Sequence, residues 1–220
     1  MMRILILIFI TNVFFLRCRD SQKCPYAFYL PAELSPIQQE YQIGDTITVN
    51  SKFHKAVLGF NSEGGEVGYF NMEGIDWMPV TGIFRIDIDS GEDQSLFSNS
   101  FDFVENSDYD YMPQSISSGT ILVGKYNYDN DSFHLSYSFI PRETGVYLHE
   151  FGSFAGTTDS QNFQGKCPGD FAVFMEVNKG MDNNISLLSE SPNPHFNTWT
   201  LFNPKTRFYE MGGFAFKVVP

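Results

Sequence analysis

The stretch SFHLSYSFI, residues 132–140, sets Phe133, Leu135, Tyr137 and Phe139 against His134, Ser136 and Ser138. Successive side chains of a strand point to opposite faces, so this alternation specifies a half-buried β-strand; an amphipathic helix would repeat its apolar positions every three to four residues. The same period recurs. In DTITVNSKF, residues 45–53, Ile47, Val49 and Ser51 oppose Thr46, Thr48 and Asn50, and in GIFRIDID Ile83, Arg85, Asp87 and Asp89 oppose Phe84, Ile86 and Ile88. Gly, Asn, Asp and Pro separate such runs, and Asp129-Asn130-Asp131 reads as a hairpin turn because Asn and Asp tolerate positive φ. The fold class this predicts is all-β: a meander of antiparallel strands closing into a β-sandwich, immunoglobulin-like or jelly-roll-like. Helical signal is sparse. Residues 181–191 predict one short helix and residues 197–202 one further turn, before FAFKVV forms the last strand.

Ahead of the strands, Arg3 is followed by an apolar run over residues 4–16. The run is too short to span a bilayer, which takes about 20 residues, and it suits the apolar core of a secretory leader. Residues 1–17 are therefore expected to be a signal peptide, and export brings an oxidising compartment. No small-residue A-x-A cleavage site lies between Leu16 and Cys24. Cys18 stands just after the apolar core, where a cysteine thiol takes diacylglycerol and becomes the mature N-terminus. In this the chain resembles bacterial lipoproteins: Phe15 and Leu16 fit the lipobox, while Arg17 departs from the small residue that precedes the cysteine there. The resemblance implies lipidation at Cys18, membrane attachment through that lipid, and a place at the outer membrane or elsewhere in the bacterial cell envelope. An uncleaved anchor and a free secreted or periplasmic protein are the alternatives. Residues 18–30 then form a lipidated tether and first extended segment, and residues 31–220 a single sandwich domain.

The chain has three cysteines. With Cys18 lipidated, Cys24 and Cys167 remain as an even pair. Both precede proline in polar surroundings, KCPY and KCPGD, which favours a disulfide over two isolated thiols. Such a bond would close a loop over most of the mature chain, contributing up to roughly 5 kcal/mol on the chain-entropy model. There is no CxxC or Cys/His pairing of the kind that holds structural zinc.

PRETGVYLHEF contains Glu143-x-Gly145-x-Tyr147, which resembles the D-x-G-x-Y pattern at the tyrosine corner of immunoglobulin-like sandwiches. The resemblance implies that the glycine permits a tight turn and that the phenol bonds back to the backbone across it. His149 stands where an immunoglobulin domain would carry its second cysteine. More broadly, the leader, SPIQQEYQIGDTITVNSKF, SFIPRETGVYLHEFGS and GGFAFKVV are similar to segments of uncharacterised exported lipoproteins of Bacteroidota with an immunoglobulin-like β-sandwich. That resemblance implies an envelope location and a sandwich fold, and it carries no activity.

A net charge of −12, from 26 acidic and 14 basic residues, argues against binding nucleic-acid phosphates. An aromatic content of 16% is too high for a disordered chain and suits strands. No G-x-S-x-G elbow, H-E-x-x-H helix, Walker loop or dinucleotide fingerprint occurs. His54, His134, His149 and His195 are scattered, so a non-catalytic protein without a cofactor is expected. The acidic loop DIDSGED offers Asp87, Asp89 and Asp93, with Glu92, as oxygen ligands for calcium. It departs from the EF-hand pattern, with Gly91 at the third ligand position and Ser98 at the twelfth, and a solvated turn is the favoured reading. Two functional classes follow. One is a protein-binding or scaffolding module using sandwich loops or an edge strand. The other is a glycan-binding module in which Trp77, Trp199 and surface tyrosines stack on sugars while Asp and Asn bond the hydroxyls.

Overall fold

The computed structural model describes residues 24–89, 95–104, 111–117, 119–155 and 171–220. The strands, in chain order, begin with β1 (Ala27–Ser35), β2 (Glu40–Gln42), β3 (Ile47–His54), β4 (Ala56–Phe60) and β5 (Glu66–Asn71). Next come β6 (Trp77–Arg85), β7 (Ser95–Leu96), β8 (Phe101–Val104), β9 (Tyr111–Ile116) and β10 (Gly119–Gly124). The last are β11 (Asn127–Asp129), β12 (Ser132–Pro141), β13 (Gly145–Ala155), β14 (Ala172–Val177) and β15 (Gly213–Val219). They form two sheets, the all-β sandwich that the alternation predicts. Sheet one runs β11-β12-β3-β1-β4-β5, with β14 added alongside β1 and β8 alongside β12. Sheet two runs β2-β15-β13-β6-β7-β10-β9.

The period-two segments behave as their chemistry requires. Phe133, Leu135, Tyr137 and Phe139 of β12 are buried and their alternates half-buried, and β3 buries Ile47, Val49, Ser51 and Phe53. The two strands are antiparallel neighbours, with Phe133 opposite Phe53 and Phe139 opposite Ile47. Asn130 and Asp131 link β11 to β12 at φ 49° and 61°, the left-handed pair that a two-residue hairpin turn takes.

Three features differ from the sequence expectation. The strand expected over GIFRIDID starts earlier, at Trp77, and stops at Arg85. Beyond it Asp87 turns back to ion-pair with Arg85, Nε to Oδ1 at 2.8 Å, so the acidic end leaves the ladder. Second, the sandwich is not purely an antiparallel meander: β14 runs parallel to β1, β2 to β15 and β7 to β10. Third, the one or two helical segments expected near the C-terminus become a layer. It comprises a 3-10 turn at Asn178–Gly180, another at Ile185–Glu190, and π-helical turns at His195–Thr200 and Lys205–Tyr209.

That layer exists because sheet two is apolar on both faces. Tyr147, Phe151, Phe214 and Phe216 face the core between the sheets. Their neighbours Val146, Leu148 and Ala215 face outward with Ile86, under Leu187, Leu188, Phe196 and Phe208. Fully burying a side chain such as Phe or Leu contributes roughly 1.5–3 kcal/mol. The layer is latched at its start, where Asn184 Nδ2 donates to the Ala215 carbonyl at 2.9 Å and to that of Gln38 at 3.0 Å. At its end Gly212 adopts φ +65°, and a Cβ there would lie 2.2 Å from the Phe151 carbonyl oxygen, so the junction admits only glycine.

Candidate interaction surface

Adjacent aromatics in a strand put one ring on each face. Sheet one has such neighbours in Phe28-Tyr29 of β1 and Tyr69-Phe70 of β5. Phe28 and Phe70 meet inside the core, edge to face at 5.8 Å. Tyr29 and Tyr69 are left on the outer face. There Tyr29 packs against Phe60 of β4, with centroids 5.2 Å apart and planes at 89°. It also meets Phe174, its partner across the β1–β14 ladder, at 5.2 Å and 39°. Tyr69 stands opposite Leu58 on β5 and β4 and is 72% exposed, while Tyr29, Leu58, Phe60 and Phe174 are half-buried. The result is an apolar, mostly aromatic row crossing four strands.

Its border is acidic. Glu66 pairs with Phe60, and Glu176 lies two residues beyond Phe174 on the same face of β14. The C-terminal turns reach the margin of the row, where Lys205, Tyr209 and Glu210 line a cleft of about 120 Å³ with Tyr29 and Glu176. Burial, with the Glu210 and Glu176 carboxylates beside it, pushes the Tyr29 phenol above its ordinary pKa. Sequence reading missed this row because alternation reports only the buried face. The aromatic doublets were the available signal.

The residues singled out from sequence fare differently. Trp77 is 1% exposed and packs edge-on against Phe53 at 5.9 Å and Phe133 at 6.3 Å. It is a core residue and presents no face to a sugar, which corrects its assignment to a glycan site. Trp199 is 48% exposed, but the Arg207 guanidinium carbon lies 3.8 Å from its ring centroid. The two tryptophans therefore share no open face. Asp87 is held by Arg85, Asp89 is exposed, and Asp93 and Glu92 lie outside the described residues. Among the described residues no three His, Cys, Asp or Glu side chains gather to hold a metal ion. Cys24, at the surface just before β1, is disulfide-bonded; Cys18, Cys167 and the leader at residues 1–17 lie outside the described residues. No helix among the described residues is long and apolar enough to cross a membrane.

At Glu143-x-Gly145-x-Tyr147 the buried phenol donates back to the Glu143 backbone carbonyl at 3.2 Å, the bond that defines a tyrosine corner. Glu143 Oε2 in turn accepts from the Ser100 hydroxyl at 2.9 Å and lies 3.7 Å from Arg85 Nη1. Gly145 is needed for space, and not for a left-handed turn. A Cβ there would lie 3.2 Å from Arg85 Nε and from the Tyr147 ring that folds over it.

Of the histidines, His149 is fully buried, and burial lowers its pKa to about 3, leaving a neutral imidazole. Its Nε2 lies 3.0 Å from the Tyr137 hydroxyl, which is 2.7 Å from Thr81 Oγ1. It stacks on Phe139 at 5.5 Å. This is a polar thread through the core, out of reach of a substrate.

No protein-family model matches the chain, and no curated protein matches it. Among solved structures, the reeler domain of human F-spondin aligns over 65% of this chain and 84% of that chain, at 10% identity and a TM-score of 0.33. A type II cohesin–X–dockerin complex from Acetivibrio cellulolyticus aligns over 67% of this chain and 95% of that chain, at 13% identity and a TM-score of 0.30. Similarities at this level assign no role.

Proposed function

We propose that the chain is a non-catalytic module of the bacterial cell envelope that docks another protein on the outer face of sheet one. The observation that carries this reading is the row Phe174, Tyr29, Phe60, Leu58 and Tyr69, in which four half-buried apolar side chains run side by side up to the exposed ring of Tyr69. Soluble proteins seldom leave such strips uncovered without a partner, and aromatics are enriched at interface cores. The bordering carboxylates and the net charge of −12 favour a partner whose apolar patch is rimmed by Lys and Arg. A glycan platform is less well supported, because it needs exposed rings in one plane. Here the planes stand at 89° and 39°, and Trp77 is in the core.

The test is a photo-crosslinking amino acid placed at Tyr69 in cells, with Tyr128 on β11, also exposed, as the control position. A discrete protein adduct is expected at position 69 and not at 128. No adduct at 69, or the same adducts at both, would overturn docking on this face.

Export and lipid anchoring at Cys18 belong to the same proposal, and the leader-like run ahead of it supports them. A fatty-acid analogue should label the wild type and miss Cys18→Ser; equal labelling would exclude the anchor. A Cys24–Cys167 disulfide is part of the same proposal, since these two cysteines remain as an even pair once Cys18 carries lipid. Non-reducing peptide mapping should recover that linked pair, and a linked Cys18–Cys24 peptide would rule it out.

A further inference from the structure

The outer face of sheet two has a gap in its covering. Glu150 of β13 is flanked across the ladder by Gly82 on β6 and Gly213 on β15, so neither neighbouring strand supplies a side chain beside it. Above this position the two π-helical turns leave a cavity of about 200 Å³, lined by Phe84, Glu150, His195, Phe196, Thr200, Arg207 and Met211. π-Helical turns are rare and concentrate at functional sites. Here the wider winding is fixed by the Thr200 hydroxyl, which donates to the His195 carbonyl at 2.9 Å, and by the Glu210 amide, which donates to the Lys205 carbonyl at 2.9 Å.

The cavity has one pre-oriented cation. The Arg207 guanidinium carbon sits over the Trp199 ring, 3.8 Å from its centroid, and the Trp199 and His195 rings meet at 5.2 Å with planes at 84°. Among the described residues Arg207 forms no ion pair, in a chain whose acidic groups outnumber its basic ones 26 to 14. Stacking fixes the plane of a guanidinium and leaves its edge of N–H donors for a planar acceptor, which is the geometry a carboxylate takes bidentately. Phe84, Phe196 and Met211 give the remaining wall apolar character. The Glu150 carboxylate lines the same space, which disfavours ligands of higher negative charge such as phosphate.

We propose that this cavity binds a small monocarboxylic acid with an apolar body, Arg207 taking the carboxylate while Phe84, Phe196 and Met211 take the body. The site shares none of its lining residues with the aromatic row and is argued independently of the docking proposed there. Calorimetric titration of the full chain with 3-phenylpropionate, its uncharged amide and inorganic phosphate tests it. The acid is expected to bind at least ~10-fold more tightly than the amide, as loss of a charged hydrogen-bonding partner predicts, and phosphate not at all. Arg207→Gln should remove that preference and leave the affinity for the amide unchanged. Arg207 is exposed, so the variant should melt with the wild type, and Trp199→Ala, which frees the guanidinium, should weaken the acid in the same direction. No binding of the acid to the wild type, equal affinity for acid and amide, or an unaltered preference in Arg207→Gln would each overturn the proposal.

Discussion

The two outer faces of this sandwich are built from similar strands and end up in opposite states. On sheet two, Val146, Leu148, Ala215 and Ile86 are roofed by four large side chains from the C-terminal turns. On sheet one, Tyr29, Phe60, Phe174 and Tyr69 share the outer face and have only a marginal cleft beside them among the described residues. The residue types differ in a telling way. The roofed face is aliphatic, and the open face is aromatic with two tyrosines, Tyr69 exposed and Tyr29 half-buried beside Glu210. The difference teaches that the outer apolar positions of one sheet stabilise the fold, whereas those of the other are available for a partner.

The strongest way to break that contrast is at the junction of roof and sandwich. Gly212→Ala drives a Cβ into the Phe151 carbonyl and forces a left-handed conformation on alanine, and a loss of about 4 kcal/mol or more is expected. Urea titration should show it, and a variant within error of the wild type would mean that the roof is not anchored there. Phe208→Ala empties the roof itself, where the ring is fully buried. It should cost about 3–5 kcal/mol, again read as the urea midpoint.

The core between the faces provides a pH test. His149 has a pKa of about 3 in the folded chain, against about 6.5 when unfolded. Between these values the unfolded state binds the extra proton, so stability falls as pH drops from about 6.5 toward 3. His149→Gln keeps a hydrogen-bonding group for Tyr137 and should flatten the fall of the urea midpoint between pH 6.5 and 4. An identical slope in the variant would show that carboxylates alone set the acid limit.

Smaller effects sharpen the contrast. Tyr147→Phe keeps the ring and deletes the bond to Glu143, with an expected loss of about 1–3 kcal/mol if the carbonyl is left unsatisfied and an unchanged urea slope. Tyr69→Ala, on the open face, should stay within about 0.5 kcal/mol of the wild type. A loss at Tyr69 as large as that at Phe208 would erase the distinction between the faces.

How far the sequence foretold this follows one physical rule: a pattern is legible when its two faces differ. Alternation in β12 and β3 was plain because Ser and Thr or His stand opposite Phe, Leu and Val. The hairpin at Asn130-Asp131 was legible from turn chemistry, and the back-bond of Tyr147 from the resemblance of Glu143-x-Gly145-x-Tyr147 to the tyrosine-corner pattern. In β13 and β15 the alternation fails, since Val146, Tyr147 and Leu148 are consecutive buried residues, as are Phe214, Ala215 and Phe216. Such runs carry the signature of a strand covered on both sides, and they held the evidence for a third layer. Trp77 was misjudged because tryptophan is common both in cores and on binding surfaces. The cavity residues Glu150, His195 and Arg207 come from distant segments and meet only through the register of β13 and the winding of the turns.

The parallel pairs have a consequence in time. Phe28 pairs with Val173 and Tyr41 with Val218, so each sheet joins two strands far apart in sequence. A chain that emerges N-terminus first holds β1 and β2 without these partners until the long intervening stretch has appeared, and pairings of such separation form slowly. A chain released at residue 212 should accordingly stay protease-sensitive throughout, losing β1 and β13 as readily as the missing strand, whereas a protected fragment would reveal a half-sandwich that folds alone. If the chain is exported as an extended thread, this late closure keeps it threadable until the distant partners of β1 and β2 are made.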